Sequence, residues 1–94
     1  MLEKEIEAAV CMYARSRHSV LTYKFTSPAR RSVPDRLLLF PNGRVLFIEF
    51  KQTGKKMTGA QTREAERIRA TGQQVVCVDD VELGKGIVDS FATA

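Results

Sequence analysis

The stretch "SVPDRLLLFPNGRVLFIEFKQ", residues 32–52, decides how this chain is read. Two apolar runs, "LLLF" and "VLFI", have the aliphatic and aromatic character of strands in a buried sheet, and "PNG" turns the chain between them. Asp35 opens the first run, and Glu49 and Lys51 close the second on either side of Phe50. Charged side chains are rarely buried without a partner, so these three residues need a reason to be there.

The turn sets their geometry. A two-residue Asn42-Gly43 hairpin would pair Pro41 with Arg44 and put Asp35 opposite Phe50, on the other face from Glu49. A three-residue loop, with Pro41 and Asn42 in a type I turn and Gly43 left-handed, sets Asp35 opposite Glu49, Leu37 opposite Phe47 and Leu39 opposite Val45. Proline at the second turn position and glycine at the fourth suit the longer loop. The shorter one would leave Pro41 in the ladder with no donor. The three-residue loop is therefore expected.

Side chains repeat every two residues along a strand, so Lys51 then shares the face of Glu49. Opposed β-carbons lie about 4.5 to 5.5 Å apart, and like charges so placed repel. Two carboxylates and an ammonium thus converge at the end of an otherwise apolar sheet. A divalent cation would turn that repulsion into binding. The plainer alternative is a salt bridge between Lys51 and one acid; the basic surroundings favour the cation.

Those surroundings are uneven. Residues 24–63 carry nine Lys or Arg against two acids, Asp35 and Glu49, a net +7, whereas the rest of the chain is net −3. A localised positive field suits a polyanion such as nucleic acid. Cys11 and Cys77 form no C-x-x-C spacing, and His18 is the single histidine, so a zinc site is not expected. A metal here would be held by oxygen, which favours magnesium or manganese.

With 94 residues, 44% hydrophobic and 28% charged, the chain is expected to form one domain with one modest core. No apolar run approaches the roughly 20 residues of a membrane helix. "MLEKEIEAAV" lacks the basic-then-apolar pattern of a secretory signal, so a cytoplasmic protein is expected. Apolar residues at 2, 6, 9, 10 and 13 have helical period, and "SVLTYKF" (19–25) reads as a strand. Strands follow at about 35–40 and 44–51. Thr58 is expected to N-cap a helix that Gly72 ends as C′. "QQVVCVDD" reads as a strand, and the final helix is expected to be weak, interrupted by Gly84 and Gly86. The reading is α/β: a mixed β-sheet flanked by helices, in the order α-β-β-β-α-β-α.

"VPD…IEFK" carries the P-D…(D/E)-x-K signature. With "YKFTSPARRSVPDRLLLFPNGRVLFIEFK" and the following "MTGAQ", the chain resembles the virus-type replication-repair nuclease (VRR-NUC) domain of the PD-(D/E)XK nuclease superfamily, from the first helix to "VVCVDD". The resemblance implies a restriction-endonuclease-like core and a metal bound by Asp35, Glu49, the Phe50 carbonyl and an acid of the first helix. Glu7 best matches that last position, with Glu3 as the fallback. Lys51 would position or deprotonate the attacking water, and Gln61 matches the family's glutamine at the start of the next helix. Ser27, Arg30, Arg31, Lys55 and Lys56, on loops bordering the site, are candidate DNA backbone contacts.

The family also implies cleavage to a 5′-phosphate and 3′-hydroxyl, branched DNA such as four-way junctions, and a homodimer. The chain departs from the pattern at Ser32, where the family typically has glycine. If that position needs positive φ, serine is the costlier residue. A nicking or restriction-like nuclease on ordinary duplex, and a non-catalytic nucleic-acid-binding module, are the rival readings.

Overall fold

The structure, a computed structural model, describes residues 1–93. Its elements run α1 (Glu3–His18), β1 (Leu21–Lys24), β2 (Arg36–Leu39), β3 (Val45–Phe50), α2 (Gly59–Arg69), β4 (Gln74–Val78) and α3 (Val81–Thr93), the order expected. The sheet order is β1-β2-β3-β4: the first three strands form an antiparallel meander, and β4 returns through α2 to lie parallel to β3.

The three-residue loop is the one formed. Gly43 N donates to Phe40 O at 2.9 Å, Gly43 has φ +89°, and Leu37 pairs with Phe47 and Leu39 with Val45. Along β3 this phase sends Leu46, Ile48 and Phe50 into the core with Leu38, against Ile6, Val10, Cys11 and Ala14 of α1 and Val88 of α3. Phe47 and Glu49 alternate to the other face, where Phe47 packs on Phe25 with ring centroids 5.4 Å apart. Phe40 is buried, while Phe25 and Phe47 are half-buried.

One helix end and one helix interior differ from expectation. The Thr58 cap is present, its hydroxyl accepting from Gln61 N at 3.1 Å while Gln61 Oε1 accepts from Thr58 N at 3.0 Å. At the other end of α2 the cap is Ala70, so Gly72, with φ +94°, lies one residue beyond C′. α3 is continuous through Gly84 and Gly86. At Gly84 the reason is packing: a β-carbon there would come 2.6 Å from Val10 Cγ2 and 3.0 Å from Val78 Cγ1, whereas one on Gly86 would meet nothing within 4 Å. Close approach of α3 to α1 and β4 outweighs glycine's poor helix propensity, about 1 kcal/mol.

Ser32 does not take positive φ. Among the described residues the one non-glycine that does is Ser19, the C-cap of α1. The departure at Ser32 therefore costs the loop no backbone strain. Among the same residues no helix is long and apolar enough to cross a membrane.

Candidate active site at the end of the sheet

The β2–β3 ladder closes at Arg36 and Ile48, and one residue further its phase sets Asp35 against Glu49. Phe40 N donates to Arg44 O at 2.9 Å, and the alternation of an antiparallel ladder in this register would bond Phe50 N to residue 34. Instead Phe50 N donates to Asp35 Oδ2 at 2.8 Å. Asp35 thus ends the strand with its side chain and is fixed there. Its own carbonyl accepts from Phe25 N at 2.9 Å, which ties it to β1 as well.

Glu49 is 4% exposed. Its Oε2 accepts from Gln61 Nε2 at 3.3 Å and lies 3.7 Å from Lys51 Nζ. Burial, and then the negative charge of Asp35, push the Glu49 carboxyl up to about 7, against the pull of Lys51. Burial also raises Asp35 above the ordinary carboxylate range, although the Phe50 amide favours its charged form. The two acids repel one another across the strand pair, as the longer turn requires.

Glu7 is buried, 7% exposed, and held from the first two strands. Lys24 and Arg36 face each other across β1 and β2, and both reach Glu7 Oε2, Lys24 Nζ at 2.9 Å and Arg36 Nε at 2.6 Å. Burial would raise the Glu7 carboxyl, but these two cations outweigh it and hold it below its usual value. Arg36 alternates with Asp35 along the strand and so leaves the other face of β2. Glu7 is accordingly drawn to the α1 side of the sheet. Among the described residues no three acidic, histidine or cysteine side chains stand close enough to share one ion. Glu3, the fallback, is exposed, and its charge is felt at Glu49.

The donor chemistry nonetheless fits a hard cation. Asp35, Glu49 and Glu7 each give one oxygen to protein partners, and the other oxygen of each has no hydrogen bond among the described residues. No buried side-chain polar atom in that set lacks a partner, so the three remaining oxygens open to solvent. Carboxylate oxygens at a water-accessible sheet end suit magnesium or manganese. Cys11 is buried in the core, and Cys77 is half-buried beside β3.

The basic residues divide. Arg30 is not free: its Nε donates to Glu64 Oε1 on α2 at 2.8 Å, and its backbone N donates to Ser27 O at 3.2 Å. Arg31, Lys55 and Lys56 are exposed and Ser27 is half-buried. Arg31 and Ser27 line a hollow that reaches Asp35, whereas Lys55 and Lys56 border another beside Met57, Cys77 and Asp79. Sequence reasoning gave no role to Lys24, Arg36 or Glu64. The cross-strand position of Lys24 and Arg36 was a usable signal for the first two, and Glu64 had none.

A β-meander with a parallel fourth strand, ending in Asp35 and in Glu49-Phe50-Lys51, defines a nuclease domain of the PD-(D/E)XK class. No family model matches the chain. A relative of Acyrthosiphon pisum secondary endosymbiont phage 1, named "Putative nuclease p44", is 49% identical over 63 residues, which cover 67% of this chain and 68% of that one. A solved structure titled "VRR_NUC domain" is similar with a TM-score of 0.76 and 29% identity, covering 92% of this chain and 97% of that one. The chain belongs to the VRR-NUC nuclease family. Such nucleases generally use divalent metal ions.

Proposed function

We propose that residues 1–94 act as one metal-dependent DNA endonuclease domain that hydrolyses phosphodiester bonds, selects branched DNA such as four-way junctions, and works as a homodimer in the cytoplasm of a bacterium or infected host. The observation that carries the nuclease chemistry is the repelling Asp35–Glu49 pair at the open sheet end, with Lys51 Nζ 3.7 Å from Glu49. Asp35, Glu49 and the Phe50 carbonyl would hold Mg²⁺ or Mn²⁺, and Glu7, the helix acid, held on the α1 side by Lys24 and Arg36, would act on the site through its charge, which is felt at Asp35. The bound ion supplies charge neutralisation on the scissile phosphate and a more acidic attacking water.

The chain's own groups do the rest. Gln61 holds Glu49 Oε2, and the Phe50 amide holds Asp35 Oδ2, so each acid presents its other oxygen to the site. Lys24 and Arg36 keep Glu7 ionised. Lys51, as an ammonium, would orient the attacking water, or once deprotonated would take its proton. As the water oxygen bonds to phosphorus the bond to the 3′ oxygen breaks, and that oxygen takes a proton from solvent or from the protonated Lys51. The products are a 5′-phosphate and a 3′-hydroxyl. Branched-DNA selection and the homodimer rest on the family resemblance: two sites related by a two-fold axis would cut opposed strands of a junction.

The test is cleavage of four-way, flap and linear DNA with Mg²⁺, Mn²⁺ or chelator, beside Asp35→Asn, which keeps an acceptor for the Phe50 amide but removes the charge. Junction cutting that needs the ion and is lost in the variant is expected. Equal cutting of linear duplex would make it a restriction-like nuclease, and binding without cutting under either metal would make it a binding module.

A further inference from the structure

Glu64 is a buried acid that the catalytic reading leaves unused. It is 7% exposed, lies one turn along α2 from Gln61, and its Oε1 accepts from Arg30 Nε at 2.8 Å and lies 3.4 Å from Arg67 Nε. One carboxylate thereby fixes two guanidinium groups from different segments, the loop before β2 and α2 itself. Around it runs a cleft lined by Arg30, Arg31, Ser32, Arg63, Glu64 and Arg67. Arg31 and Arg63 pair with no carboxylate among the described residues. Arg63 folds back onto the first turn of α2, where a β-carbon on Gly59 would lie 3.2 Å from its Nη1.

Four guanidinium groups and one carboxylate line the cleft, an excess of positive charge that a further anion would offset. Phosphate is the anion that the guanidinium fork fits, through paired charge-assisted hydrogen bonds. The positive end of the α2 dipole adds to the field at Arg63. The cleft is also in line with the chemistry: the hollow that reaches Asp35 shares Arg30 and Arg31 with it. Among the described residues Lys55 and Lys56 have no comparable brace, being exposed on a loop with no buried acid between them.

We propose that this cleft binds a backbone phosphate of the DNA strand flanking the scissile bond. Arg31 and Arg63 grip the phosphate, and Glu64 is a positioning residue that holds Arg30 and Arg67 around it. The proposal rests on the DNA nuclease reading above and adds to it a substrate-binding surface on α2. It also reassigns Arg30 from a free phosphate ligand to one held in place by Glu64.

The experiment measures junction-DNA affinity against salt, and KM and kcat, for the wild-type chain, Arg31→Ala, Arg63→Ala, Glu64→Gln and the control Lys4→Ala on α1. Each arginine variant is expected to weaken binding about tenfold, the size of one charge-assisted hydrogen bond. Each should also lower the salt slope by about one, and raise KM with kcat nearly unchanged. Glu64→Gln should raise KM in the same way without altering the salt slope as a direct contact would, because its neutral side chain no longer fixes Arg30 and Arg67. Lys4→Ala should do neither. Arginine variants indistinguishable from Lys4→Ala in affinity, slope and KM would overturn the cleft while leaving the nuclease reading intact. Absence of cutting by the wild-type chain, with the binding losses still present, would instead remove the nuclease reading and keep the cleft.

Discussion

The β2–β3 hairpin has two ends that follow opposite rules. At the turn, polar groups meet complements: Asn42 Nδ2 donates to Phe91 O at 2.8 Å, and Arg44 Nη1 donates to Phe91 O at 3.3 Å with its guanidinium 4.1 Å from the Phe91 ring centroid. These contacts cover the last carbonyls of α3, the negative end of its dipole. At the open end the same strands press Asp35 and Glu49 together, two like charges in partial burial. The turn end stabilises the fold and fixes the register. The register then holds the open end in an arrangement that would otherwise relax. Stability and function are thus joined by one three-residue loop.

The sharpest way to break this contrast is Glu49→Gln. Loss of a partner behind a metal ligand typically costs about 10- to 100-fold, so loss of the ligand itself should lower cleavage by more than about 100-fold. Stability should move the other way. Without divalent ions at pH 8 the variant should be more stable by about 1–3 kcal/mol, because the charged carboxylate is disfavoured there. Paired cleavage assays and denaturant melts read both, and a variant that loses activity and stability together would contradict the contrast.

Gly84→Ala attacks the stable side. Its new β-carbon meets Val10 and Val78, and overpacking of this kind costs about 1–3 kcal/mol. The melting temperature should fall while cleavage per folded molecule is kept.

A pH series sharpens the open end. Glu49 titrates near 7 in the folded chain against 4.5 ordinarily, so the folded state binds the proton more tightly. Stability should therefore decline as pH rises through that window, by up to about 1.4 kcal/mol per unit, and stay lower above it. A bound ion needs the deprotonated acid, so thermal stabilisation by Mn²⁺ should be small at pH 5.5 and level off above 7. Glu49→Gln should flatten the profile.

The smallest effect is Arg44→Ala at the turn end. Loss of its carbonyl contacts and of the cation–π contact should cost about 1 kcal/mol. Cleavage should not change.

Much of this hairpin was legible because its decisive signals are local. Pro41 at the second turn position and Gly43 at the fourth specify the loop, the loop specifies the register, and the register specifies which acids meet. α3 was misread for a related reason. Gly84 and Gly86 look like breaks when only propensity is weighed, but Gly84 is a close-packing site for Val10 and Val78, residues from distant segments. The same limit hid the pairing of Arg30 with Glu64, 34 positions apart, and of Glu7 with Lys24 and Arg36, 17 and 29 positions apart. Helical period could not choose between Glu3 and Glu7. The fold buries Glu7 and exposes Glu3, because two strand cations reach over to Glu7.

The most direct test of the account is a calorimetric titration of Mn²⁺ into the wild-type chain, Asp35→Asn and Glu49→Gln at pH 8. A site occupied in the wild-type chain and lost or severely weakened in each variant is the predicted result. Equal binding by all three proteins would mean that the acids brought together by the hairpin hold no ion in common, and would contradict the account.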